Sequence, residues 1–593
     1  MSNHLGLAQA LADLERNPEQ YDAAHERGHC IILAGPGSGK TKTLTTAMAR
    51  SLVEDVVDPR GVACITYNNE CAIELESRLV KLGIMSSDRS FIGTVHSFAL
   101  TQVISPYARC IPRLLSDNFR LATKSESRTA VEAAYDTVFG DDKNPHDRWP
   151  FAEEKRRRVV DRSLHAWRER NPDLANFIEA YAAELRGKGL IDFDDMPLIA
   201  FRMIKEHRWI RDALRARFPI LFVDEYQDLG HALHELVLLL CFEGGTRLFA
   251  VGDADQSIYG FTGANPELLQ SLTKRRDVRT IHLRFNYRSG AKIIRASLGA
   301  LGEERDYRGI DGAPDGDLTF WPVKGDHELQ AQHIAETILQ TLLGRGIQPD
   351  QIAVLYRAAW LGDKVAEALE RIGTAFVRTD GNALVKRSSQ LARFVEACAG
   401  WVTGGWRVAD PPYSRLLSQA LGLVYCGRAR GAEEQALSRQ LMAFLRSGID
   451  AGETTHAWLL RFCRELITPW QAITRNAHQE WEVCFEMVTR TDPVQDRDIP
   501  LNVFSGRIDG TGLITLSTLH SAKGREFDAV ILFGINDGDI PNWRDKKSDR
   551  AMREARRLFY VGVTRPRKDL CIVYQENHQS SWVDELLQRS QQI

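Results

Sequence analysis

A glycine-rich turn near the N-terminus has the residue types that hold nucleotide phosphates. The segment I-I-L-A-G-P-G-S-G-K-T reads as an apolar strand, a turn and the start of a helix. Glycines let successive backbone N–H groups point inward around phosphate oxygens, and the helix start adds partial positive charge. Lys40 is expected to reach the outer phosphates and Thr41 to hold Mg²⁺. The expected contact residues are Ala34, Gly35, Pro36, Gly37, Ser38, Gly39, Lys40 and Thr41.

Ala34 stands where this pattern usually has its first glycine, so an ordinary tight turn is the alternative interpretation. The strand, turn and helix together favour nucleotide binding.

Two adjacent acids follow a second apolar run. The segment P-I-L-F-V-D-E-Y-Q-D places Asp224 and Glu225 at the end of an expected strand. Beside a nucleotide, Asp224 would hold Mg²⁺ through water or Thr41, and Glu225 would accept a proton from the attacking water. The other interpretation is a solvated acidic turn. Neither interpretation explains why Gln227 and Asp228 come next.

A neutral amide follows a third apolar run. The segment V-G-D-A-D-Q-S-I-Y-G-F-T-G places Gln256 at a strand end, on the edge where the nucleotide would lie. An amide there can hydrogen-bond a γ-phosphate or the attacking water, and losing that bond on hydrolysis would move the following loop. That loop carries Tyr259 and Phe261, whose rings suit stacking on nucleic-acid bases. Taken alone, two aromatic residues in a loop more often pack against the protein.

Two arginines in the second half of the chain could complete the same site. Arg288 lies in L-R-F-N-Y-R-S-G and Arg565 in E-A-R-R-L-F-Y-V-G-V-T-R-P-R. Arginines that reach a γ-phosphate across a cleft stabilise transition-state charge and make hydrolysis depend on closure of that cleft. Between them lies T-L-H-S-A-K-G-R-E-F, which is polar and bent by glycine between two expected strands.

Parallel sheets are needed to position these motifs. Short β-rich runs alternate with helical stretches, which is typical of parallel strands with crossover helices. The sequence predicts two α/β cores, each interrupted by a helical stretch, at about 100–200 and about 385–510. A segment rich in Gly, Asp and Pro at 309–317 is predicted to be a surface loop. The predicted strands are 30–34, 62–67, 220–224, 248–252, 352–356, 513–518 and 529–533.

Length and composition limit the function without deciding it. At 593 residues the chain exceeds the size at which one core keeps growing. A net charge of −3 neither supports nor excludes a local nucleic-acid surface. Ten scattered cysteines without metal-ligand spacing indicate a reduced cytoplasmic protein. The absence of a leader-like start and of a bilayer-length apolar run predicts no membrane partner.

Two further clusters allow competing interpretations. The run E-E-K-R-R-R-V-V-D-R-S-L-H-A-W-R-E-R, residues 153–170, could grip duplex phosphates or form a solvated helix face, and the sequence favours neither. His25, His29 and Cys30 are close in sequence, but without a fourth ligand they do not predict a metal site. No nuclease-like carboxylate cluster follows the last motif, so any cutting of DNA would belong to a partner.

The motifs and their order resemble those of the UvrD/Rep/PcrA type of superfamily 1A DNA helicases over nearly the whole chain. The shared motifs are A-G-P-G-S-G-K-T, D-E-Y-Q-D, G-D-A-D-Q-S-I-Y-G, N-Y-R-S, T-L-H-S-A-K-G-R-E-F and R-R-L-F-Y-V-G-V-T-R. In that family the D-E-x-Q-D element couples the nucleotide site to neighbouring motifs, which gives Gln227 and Asp228 a role. The resemblance implies two RecA-like parallel-sheet P-loop cores, each with a mainly helical insertion, and ATP and Mg²⁺ as cofactors.

The resemblance also implies a division of the chain into two interrupted cores. Core 1A is expected at 1–99 and 201–280, helical insertion 1B at 100–200, core 2A at 281–385 and 511–593, and a short helical insertion 2B at 386–510.

Roles for individual residues follow from the same resemblance. Gln20 is the expected reader of the adenine edge, Tyr287 the ring that stacks on adenine, and Glu526 the ribose ligand. The implied phosphate and magnesium site comprises Lys40, Thr41, Asp224, Glu225, Gln256, Arg288 and Arg565. The implied contacts to single-stranded DNA are Tyr67, Asn69, Thr94, His96, Tyr259, Phe261 and His520.

Departures from the family pattern concentrate on the DNA side. Glu70 stands where a lysine is usual, and Phe261 and Thr262 replace a Trp-Arg pair. An acid near a polyanion and a smaller ring both weaken the expected grip on DNA. The second helical insertion is also shorter than the family's usual 2B subdomain.

Two functions from different classes fit these features. The first is an ATP-driven motor, with 3′→5′ direction implied by the family, that moves along single-stranded DNA and unwinds duplexes at single-strand/duplex junctions. The second is a DNA-gated ATPase switch that recruits or licenses a nuclease or repair partner with little processive unwinding. The aromatic residues and both arginines favour the motor, whereas Glu70, Thr262 and the short insertion favour the switch. A P-loop ATPase unrelated to nucleic acid would need neither the arginines of a second lobe nor a base-stacking loop.

Overall fold

Two six-stranded parallel sheets organise the computed structural model of the chain. The structure describes residues 5–66, 69–84, 89–111, 114–115, 119–122, 124–140, 143–169, 171–260, 263–380, 389–408, 411–425, 429, 431–449, 452–474, 481–492, 500–505 and 512–591.

The strands of the described residues are, in chain order, β1 His29–Ala34, β2 Val62–Thr66, β3 Ser90–Thr94, β4 Arg120–Leu121, β5 Leu190–Ile191, β6 Ile220–Val223, β7 Arg247–Gly252, β8 Val278–Leu283, β9 Phe285–Asn286, β10 Arg308–Gly309, β11 Asp317–Val323, β12 Ile352–Tyr356, β13 Phe376–Arg378, β14 Ile514–Thr518, β15 Phe527–Leu532 and β16 Pro566–Gln575.

The helices up to the second sheet are α1 Leu5–Leu14, α2 Pro18–His25, α3 Lys40–Arg50, α4 Asn69–Lys81, α5 Val95–Phe98, α6 Ser105–Tyr107, α7 Lys124–Val138, α8 Pro145–Arg158, α9 Pro172–Gly187, α10 Met196–Glu206, α11 Arg208–Arg217, α12 His231–Val237, α13 Pro266–Thr273 and α14 Ala291–Leu301. The later helices are α15 His327–His333, α16 Leu339–Gly344, α17 Ala359–Arg371, α18 Gln390–Gly400, α19 Trp406–Val408, α20 Tyr413–Tyr425, α21 Gly431–Gly448, α22 Thr455–Phe462, α23 Thr468–Ile473, α24 Trp481–Arg490, α25 Leu501–Phe504, α26 Asp549–Val563 and α27 Ser581–Gln591.

The first sheet has the strand order β3-β2-β6-β7-β1-β8, and every pair is parallel. Its central strands β1, β6 and β7 are continuous apolar runs because helices cover both faces of the sheet. Since β6, β7 and β1 are neighbours, the three turns that follow Val223, Gly252 and Ala34 meet at one edge. The predicted phosphate loop, acid pair and amide therefore come from adjacent strand ends.

The second sheet has the strand order β11-β16-β15-β12-β14-β13 and is also wholly parallel. Arg565 lies just before β16 and Glu526 just before β15, so both stand at the amino edge of this sheet. His520 follows β14 and therefore lies toward the carboxyl edge. The second sheet thus presents different residues to the predicted nucleotide site and to the predicted DNA groove.

The two interrupting stretches have cores of their own. The stretch between β3 and β6 contains α7, α8 and α9, whose buried side chains form a cluster from Ala122 to Leu190, together with the small parallel pair β4 and β5. The stretch between β13 and β14 is helical in its described residues, and its buried cluster runs from Leu391 to Phe504. Both stretches are mainly helical, as the sequence predicts.

The structure confirms the predicted α/β class with two parallel sheets. It also contains every strand that was predicted from an apolar run, and the ends differ from the predicted ones by at most two residues. The segment 310–316 forms a turn with an irregular continuation, also as predicted. Sequence reasoning missed β3, β8, β11, β13 and β16 of the two large sheets, and also the short strands β4, β5, β9 and β10. None of the helices in the described part of the chain is long and apolar enough to cross a membrane.

Candidate functional site

The phosphate loop connects β1 to α3 through two glycines in the left-handed region. Gly37 has φ +69° and Gly39 has φ +81°, which residues with a Cβ atom rarely adopt. The Ser38 hydroxyl donates to the Gly35 carbonyl over 2.7 Å and closes the turn. The loop is therefore held in a conformation that depends on glycine.

Lys40 folds back over this loop at the start of α3. Its Nζ donates to the Ala34 carbonyl over 3.1 Å and lies 3.9 Å from Asp253 Oδ2. Thr41 occupies the next position in the first turn of the helix. The ammonium group is thus held beside the loop by partners that an anionic phosphate could replace.

The two acids after β6 lie near Lys40, Asp224 buried and Glu225 half-buried, and they differ in their pKa. Burial raises the pKa of Asp224 to about 7, and the neighbouring Glu225 adds to the rise while Lys40 opposes it. Burial also acts to raise the pKa of Glu225, but Lys40, Lys523, the hydrogen bond from Gln227 and Arg565 together hold that pKa below its usual value. Glu225 has φ +49°, so its backbone lies in a strained left-handed conformation.

The oxygen atoms available here fit a magnesium ion. A carboxylate on Asp224 and a hydroxyl on Thr41 are the hard oxygen ligands that Mg²⁺ prefers. Burial and the adjacent Glu225 both disfavour the charged form of Asp224, and a bound divalent cation would relieve that cost.

Gln227 connects the turns that follow β6 and β7. Its side-chain amide donates to Glu225 Oε2 over 2.6 Å, and its carbonyl oxygen accepts from the Asp253 backbone N–H over 2.8 Å. The Ser257 hydroxyl donates to the Gln227 backbone carbonyl over 3.2 Å. Gln227 is fully buried, so these bonds are shielded from water. The residue orients Glu225 and fixes the next turn at the same time.

Asp228 reaches the second half of the chain. Its Oδ2 lies 2.5 Å from Lys523 Nζ, and the same ammonium group donates to the Gln256 carbonyl. Burial raises the pKa of Asp228 to about 7, and Lys523 opposes that rise. Asp228 and Lys523 therefore form a buried link between the two cores.

Gln256 and Arg565 also meet across the two cores. The Gln256 amide donates to Asp253 Oδ2 over 2.6 Å, while its carbonyl oxygen accepts from Arg565 Nη2 over 3.4 Å. Arg565 is 1% exposed, and its other hydrogen bonds go to neutral oxygens of Val561, Thr564 and Arg525. Burial lowers the pKa of Arg565 to about 9, and the nearby Arg288 contributes.

Arg565 has no carboxylate in ion-pair contact within the described part of the chain. A buried cation without a counter-ion is costly, so an anion would be favoured beside it.

Arg288 is held by a partner that was expected to bind ribose. Its Nε lies 2.5 Å from Glu526 Oε2, and its Nη1 donates to the Thr564 carbonyl over 3.4 Å. Glu526 also accepts from Arg567 over 2.6 Å. The structure therefore places Arg288 next to Arg565, with Glu526 paired to two arginines rather than free.

The expected adenine-side residues lie against the phosphate loop. Asn17 caps α2 and donates to the Tyr287 hydroxyl over 2.8 Å. Gln20 donates to the Ser38 carbonyl over 2.8 Å, and the Tyr287 backbone N–H donates to the Gly37 carbonyl over 2.8 Å. The Tyr287 ring is 46% exposed, which leaves it free to receive a planar ligand.

Tyr307 is a neighbour of the loop that sequence reasoning missed. A Cβ atom added to Gly35 would lie 2.6 Å from the Tyr307 ring, so the ring covers the loop closely. Burial raises the pKa of Tyr307, with Asp253 and Asp255 contributing. No motif marks this residue, since its position depends on how the two cores pack.

The described residues that are expected to contact DNA fall into two groups. One group is Tyr259 with His520, and the other is Thr94 with His96. Tyr259 donates to the His520 carbonyl over 3.2 Å, which joins the loop after β7 to the loop after β14. Thr94 caps α5 by accepting from the Ser97 N–H over 3.2 Å. The His96 ring stacks on Phe193, with centroids 4.3 Å apart and planes 14° apart. Tyr67, Phe261, Thr262 and the side chains of Asn69 and Glu70 lie outside the described residues.

Phe193 is the second residue that sequence reasoning missed. It is 44% exposed although it carries a large apolar ring, and it already stacks on one of the expected DNA contacts. The surrounding segment D-F-D-D offered only a weak signal, an aromatic residue between acids.

Comparison with known protein families gives two matches on this chain. The UvrD/REP helicase N-terminal domain matches residues 16–277, and the UvrD-like helicase C-terminal domain matches residues 505–577. The chain belongs to the UvrD/Rep/PcrA helicase family. The two matched segments contain eight of the twelve strands of the two large sheets and most residues of the candidate site, while Tyr287 and Arg288 lie between them.

Relatives of this helicase match it over nearly its full length. ATP-dependent DNA helicase UvrD1 of Mycobacterium tuberculosis (strain ATCC 25618 / H37Rv) is 28% identical over 96% of this chain and 83% of that protein. ATP-dependent DNA helicase PcrA of Leuconostoc citreum is 27% identical over 93% of this chain and 81% of its own length. ATP-dependent DNA helicase UvrD2 of the same M. tuberculosis strain is 28% identical over 92% of this chain and 76% of its own length.

The basic run of this helicase at 153–170 is largely committed to internal contacts. Arg156 is 6% exposed and lies 2.9 Å from Asp192, and Arg162 lies 3.3 Å from Asp195. Three other arginines of the run also form ion pairs, Arg157 with Asp194, Arg158 with Glu154, and Arg168 with Glu179. The structure therefore favours neither a free phosphate grip nor a simply solvated face, since the charges hold the first helical insertion together.

His29 and Cys30, close to the phosphate loop, make their contacts within the first sheet. His29 Nδ1 accepts from the Leu248 N–H over 3.0 Å, and Cys30 is buried in the sheet. No group of three or more His, Cys, Asp or Glu that could hold a metal by itself occurs in the described ranges.

Proposed function

We propose that this chain is an ATP-dependent DNA helicase that hydrolyses ATP between its two cores and uses the cycle to move single-stranded DNA in the 3′→5′ direction. The observation that carries the proposal is the contact between buried Arg565 and Gln256. It joins a cation of the second core to the amide that follows β7 of the first. A γ-phosphate held there would complete a charge pairing that the described residues leave open.

The chemistry assigned to the site follows from its geometry. Lys40 would exchange its carbonyl contact for the outer phosphates, and Arg288 and Arg565 would stabilise charge that develops on the γ-phosphate. Glu225 has a lowered pKa and is ionised at neutral pH, so it can accept the proton of the attacking water. Thr41 and Asp224 would hold Mg²⁺, which neutralises phosphate charge when it is bound.

The adenine and ribose contacts complete the nucleotide assignment. Gln20 and Tyr287 would hold the adenine, and Glu526 would turn from its arginine partners to the ribose. In this proposal the cores are 1A (1–99 and 201–280) and 2A (281–385 and 511–593), with the insertions 1B (100–200) and 2B (386–510).

The link from hydrolysis to movement would run through Gln256. Its amide faces the nucleotide site, and three residues later Tyr259 contacts His520 of the second core. Tyr67, Asn69, Thr94, His96, Phe193, Tyr259, Phe261 and His520 are the proposed contacts to single-stranded DNA. A change at the γ-phosphate would thereby alter a loop that holds bases.

A DNA-gated switch with a nuclease or repair partner is the second candidate. Glu70 is the residue that favours it, because an acid beside a polyanion weakens the grip that processive movement needs.

Two assays separate the candidates. ATP hydrolysis is measured with and without single-stranded DNA, and strand displacement is measured on duplexes with 3′ or 5′ tails. The motor predicts DNA-stimulated hydrolysis together with displacement of 3′-tailed duplexes. DNA-stimulated ATP hydrolysis without strand displacement would favour the switch. A rate of ATP hydrolysis that is the same with and without DNA would contradict both candidates.

A further inference from the structure

A segment of the second core that carries none of the family motifs lies against the proposed nucleotide site of the first core. It connects α14 to β10, comprises residues 302–307 and is called the α14–β10 segment here. Two of its side chains, those of Arg305 and Tyr307, lie against the turns that follow β7 and β1. The proposed chemistry of ATP hydrolysis gives neither side chain a role.

Arg305 pairs with Asp255, the residue directly before Gln256. The Arg305 Nε donates to Asp255 Oδ2 over 2.7 Å, and its Nη2 donates to Asp255 Oδ1 over 2.9 Å. The Asp255 side chain is 10% exposed, so water screens this bidentate pair very little. The hydrogen bonds to Asp255 are the main reason why the pKa of Arg305 is raised. The pair joins the two cores, because Asp255 follows β7 and Arg305 precedes β10.

The short turn after β7 is held from two sides. The Asp253 carboxylate accepts from the Asp255 N–H over 3.0 Å and from the Gln256 amide over 2.6 Å. The same carboxylate lies 3.9 Å from Lys40 Nζ at the phosphate loop. Asp253 thus ties the turn to the first core, whereas Asp255 ties it to Arg305 of the second. Since Gln256 belongs to this turn, a shift of Arg305 would move its amide.

Tyr307 connects the same turn to the phosphate loop. A Cβ atom added to Gly35 would lie 2.6 Å from the Tyr307 ring, and the three nearest atoms it would meet all belong to that ring. Burial raises the pKa of Tyr307, and the nearby Asp253 and Asp255 add to the rise. The Tyr307 side chain therefore extends from the phosphate loop toward the acids of the turn after β7.

Both ends of the α14–β10 segment are fixed within the second core. Gly302 ends α14 in the left-handed region, with φ +75°. At the other end, β10 pairs in parallel with β9, and the Arg308 N–H donates to the Arg284 carbonyl over 2.9 Å. Arg288 follows β9 by two residues. The segment thus has a fixed position relative to the arginine that is proposed to reach the γ-phosphate.

We propose that Arg305 and Tyr307 are positioning residues that hold the turn carrying Gln256 against the phosphate loop. Arg305 sets the position of the Gln256 amide through Asp255. Tyr307 keeps the turn and the loop at a fixed separation through its contact with Gly35. Both act through these partners and not by contact with the reacting atoms. The proposal rests on the proposed function, because it assumes that Gln256 contacts the γ-phosphate or the attacking water.

Steady-state ATP hydrolysis with saturating oligothymidylate tests the Arg305 pair. Arg305→Gln should lower kcat about tenfold or more, because a displacement of about 1 Å can cost about 10²-fold in rate. KM for ATP and the affinity for a fluorescent ATP analogue should change less than about twofold, since Lys40 and the phosphate loop keep their contacts. Arg305→Lys keeps the charge and should retain more of kcat than Arg305→Gln.

The matched control is Arg308→Gln. It removes an arginine three positions later, whose side chain is 66% exposed and pairs with Asp306 over 2.8 Å. This variant should have the kcat and KM of wild type. An Arg305→Gln protein that also has the kcat of wild type would overturn the role of Arg305.

A double variant separates positioning from stability. Arg305→Gln leaves Asp255 buried without its cation, so the melting temperature should fall. Adding Asp255→Asn removes the unpaired charge and should raise the melting temperature again. The kcat of Arg305→Gln/Asp255→Asn should nevertheless stay low, because two amides cannot reproduce a bidentate ion pair. If kcat recovers together with the melting temperature, the pair only stabilises the fold and the proposal is overturned.

The contact between Tyr307 and Gly35 is tested by changing its size from both sides. Tyr307→Ala removes the ring and Gly35→Ala pushes it away, so each should lower kcat. Because both changes act on one contact, Gly35→Ala/Tyr307→Ala should be no slower than the slower single variant. Tyr307→Phe keeps the ring and should retain most of kcat. Losses that multiply in the double variant would show that the two residues act independently and would overturn the role of the ring.

The outcomes separate this proposal from the proposed function. A wild-type chain whose ATP hydrolysis is stimulated by DNA, together with Arg305 and Tyr307 variants of equal kcat, would overturn the positioning role alone. A wild-type chain that hydrolyses ATP at the same rate with and without DNA would overturn the proposed function and this role with it.

Discussion

Lys523 Nζ lies 2.5 Å from Asp228 Oδ2, although 295 positions separate the two residues in the sequence. Asp228 follows β6 of the first sheet, and Lys523 lies between β14 and β15 of the second. The Lys523 side chain is 6% exposed and the Asp228 side chain is 1% exposed, so solvent screens the pair very little. The same ammonium group also donates to the Gln256 carbonyl. Three motifs that are distant in sequence therefore meet at one buried ion pair.

The ion pair predicts a strong and coupled effect of substitution. Lys523→Met leaves Asp228 buried without its cation, and breaking such a pair costs about 3–5 kcal/mol. Asp228→Asn removes the charge but keeps the shape, so the double variant Asp228→Asn/Lys523→Met should recover much of the loss. Urea unfolding of the four proteins measures the coupling. Additive losses in the double variant would show that the two side chains do not act as a pair.

Lys40→Ala and Glu225→Gln should fail in different ways. Lys40 is placed to hold phosphates, so its loss should weaken binding of an ATP analogue as well as hydrolysis. Glu225→Gln keeps a similar shape and should bind nucleotide while hydrolysis falls, because an amide cannot accept the proton. Nucleotide binding by fluorescence and phosphate release measure the two effects. Normal hydrolysis by the Glu225→Gln protein would contradict its assignment as the base.

The two arginines should act on turnover more than on binding. Loss of an arginine that stabilises a transferring phosphoryl group costs about 10³-fold or more in turnover. Arg565→Ala and Arg288→Ala are therefore expected to hydrolyse ATP at least that much more slowly, with a far smaller change in nucleotide affinity. Arg567→Ala is a matched control, because it removes another arginine that contacts Glu526. Equal losses in all three variants would point to disrupted packing.

The fold was predictable where burial shapes the sequence. Strands β1, β6 and β7 are covered on both faces and read as continuous apolar runs. Strands β3, β8, β11 and β13 lie at sheet edges, where a strand has a neighbour on one side only and its sequence is less uniformly apolar, and β11 even contains Pro322. Strand β16 begins with P-R-K-D but contains L-C-I-V-Y, an apolar run as long as the predicted strand I-A-V-L-Y, so sequence reasoning overlooked a signal that was present.

Residues of the site were predictable from motifs, but their pairings were not. Lys40, Asp224 and Gln256 could be placed because parallel strands bring their carboxyl ends to one edge. The contact of Asp228 with Lys523 and the cover of Gly35 by Tyr307 depend on how two cores pack together. No local pattern of residues encodes that packing.

A buried histidine predicts a pH-dependent difference in stability. Burial lowers the pKa of His234 to about 4, below the 6.5 of an exposed ring, and its Nδ1 lies 2.9 Å from the Tyr226 hydroxyl. The unfolded chain therefore binds the additional proton between pH 6.5 and 4, and this contribution to stability is lost as the pH falls through that window.

The stability advantage of wild type over His234→Gln should shrink in the same window. The expected change is up to about 1.4 kcal/mol for each pH unit, measured by urea unfolding at pH 7, 6 and 5. His165→Gln is the control, because the side chain of His165 is 90% exposed. A constant gap between wild type and His234→Gln across this range would show that burial does not keep the ring neutral.

Gln256 is expected to couple ATP hydrolysis to DNA binding. Gln256 contacts Arg565 at the proposed nucleotide site, and three residues later Tyr259 contacts His520 on the proposed DNA side. Gln256→Ala should leave affinity for single-stranded DNA close to wild type, while the stimulation of ATP hydrolysis by DNA falls, because the amide contact changes only with the phosphate state.

Phe261→Ala should show the opposite pattern. Loss of a stacking ring costs about 1–3 kcal/mol per base, so DNA affinity and movement should fall much more than hydrolysis without DNA. Anisotropy with oligothymidylate, ATP hydrolysis at saturating DNA and a translocation assay measure the three quantities in both variants. If Phe261→Ala changes neither affinity nor movement, the ring packs against the protein and does not grip DNA. Together with Glu70 and Thr262, that result would favour the DNA-gated switch over the motor.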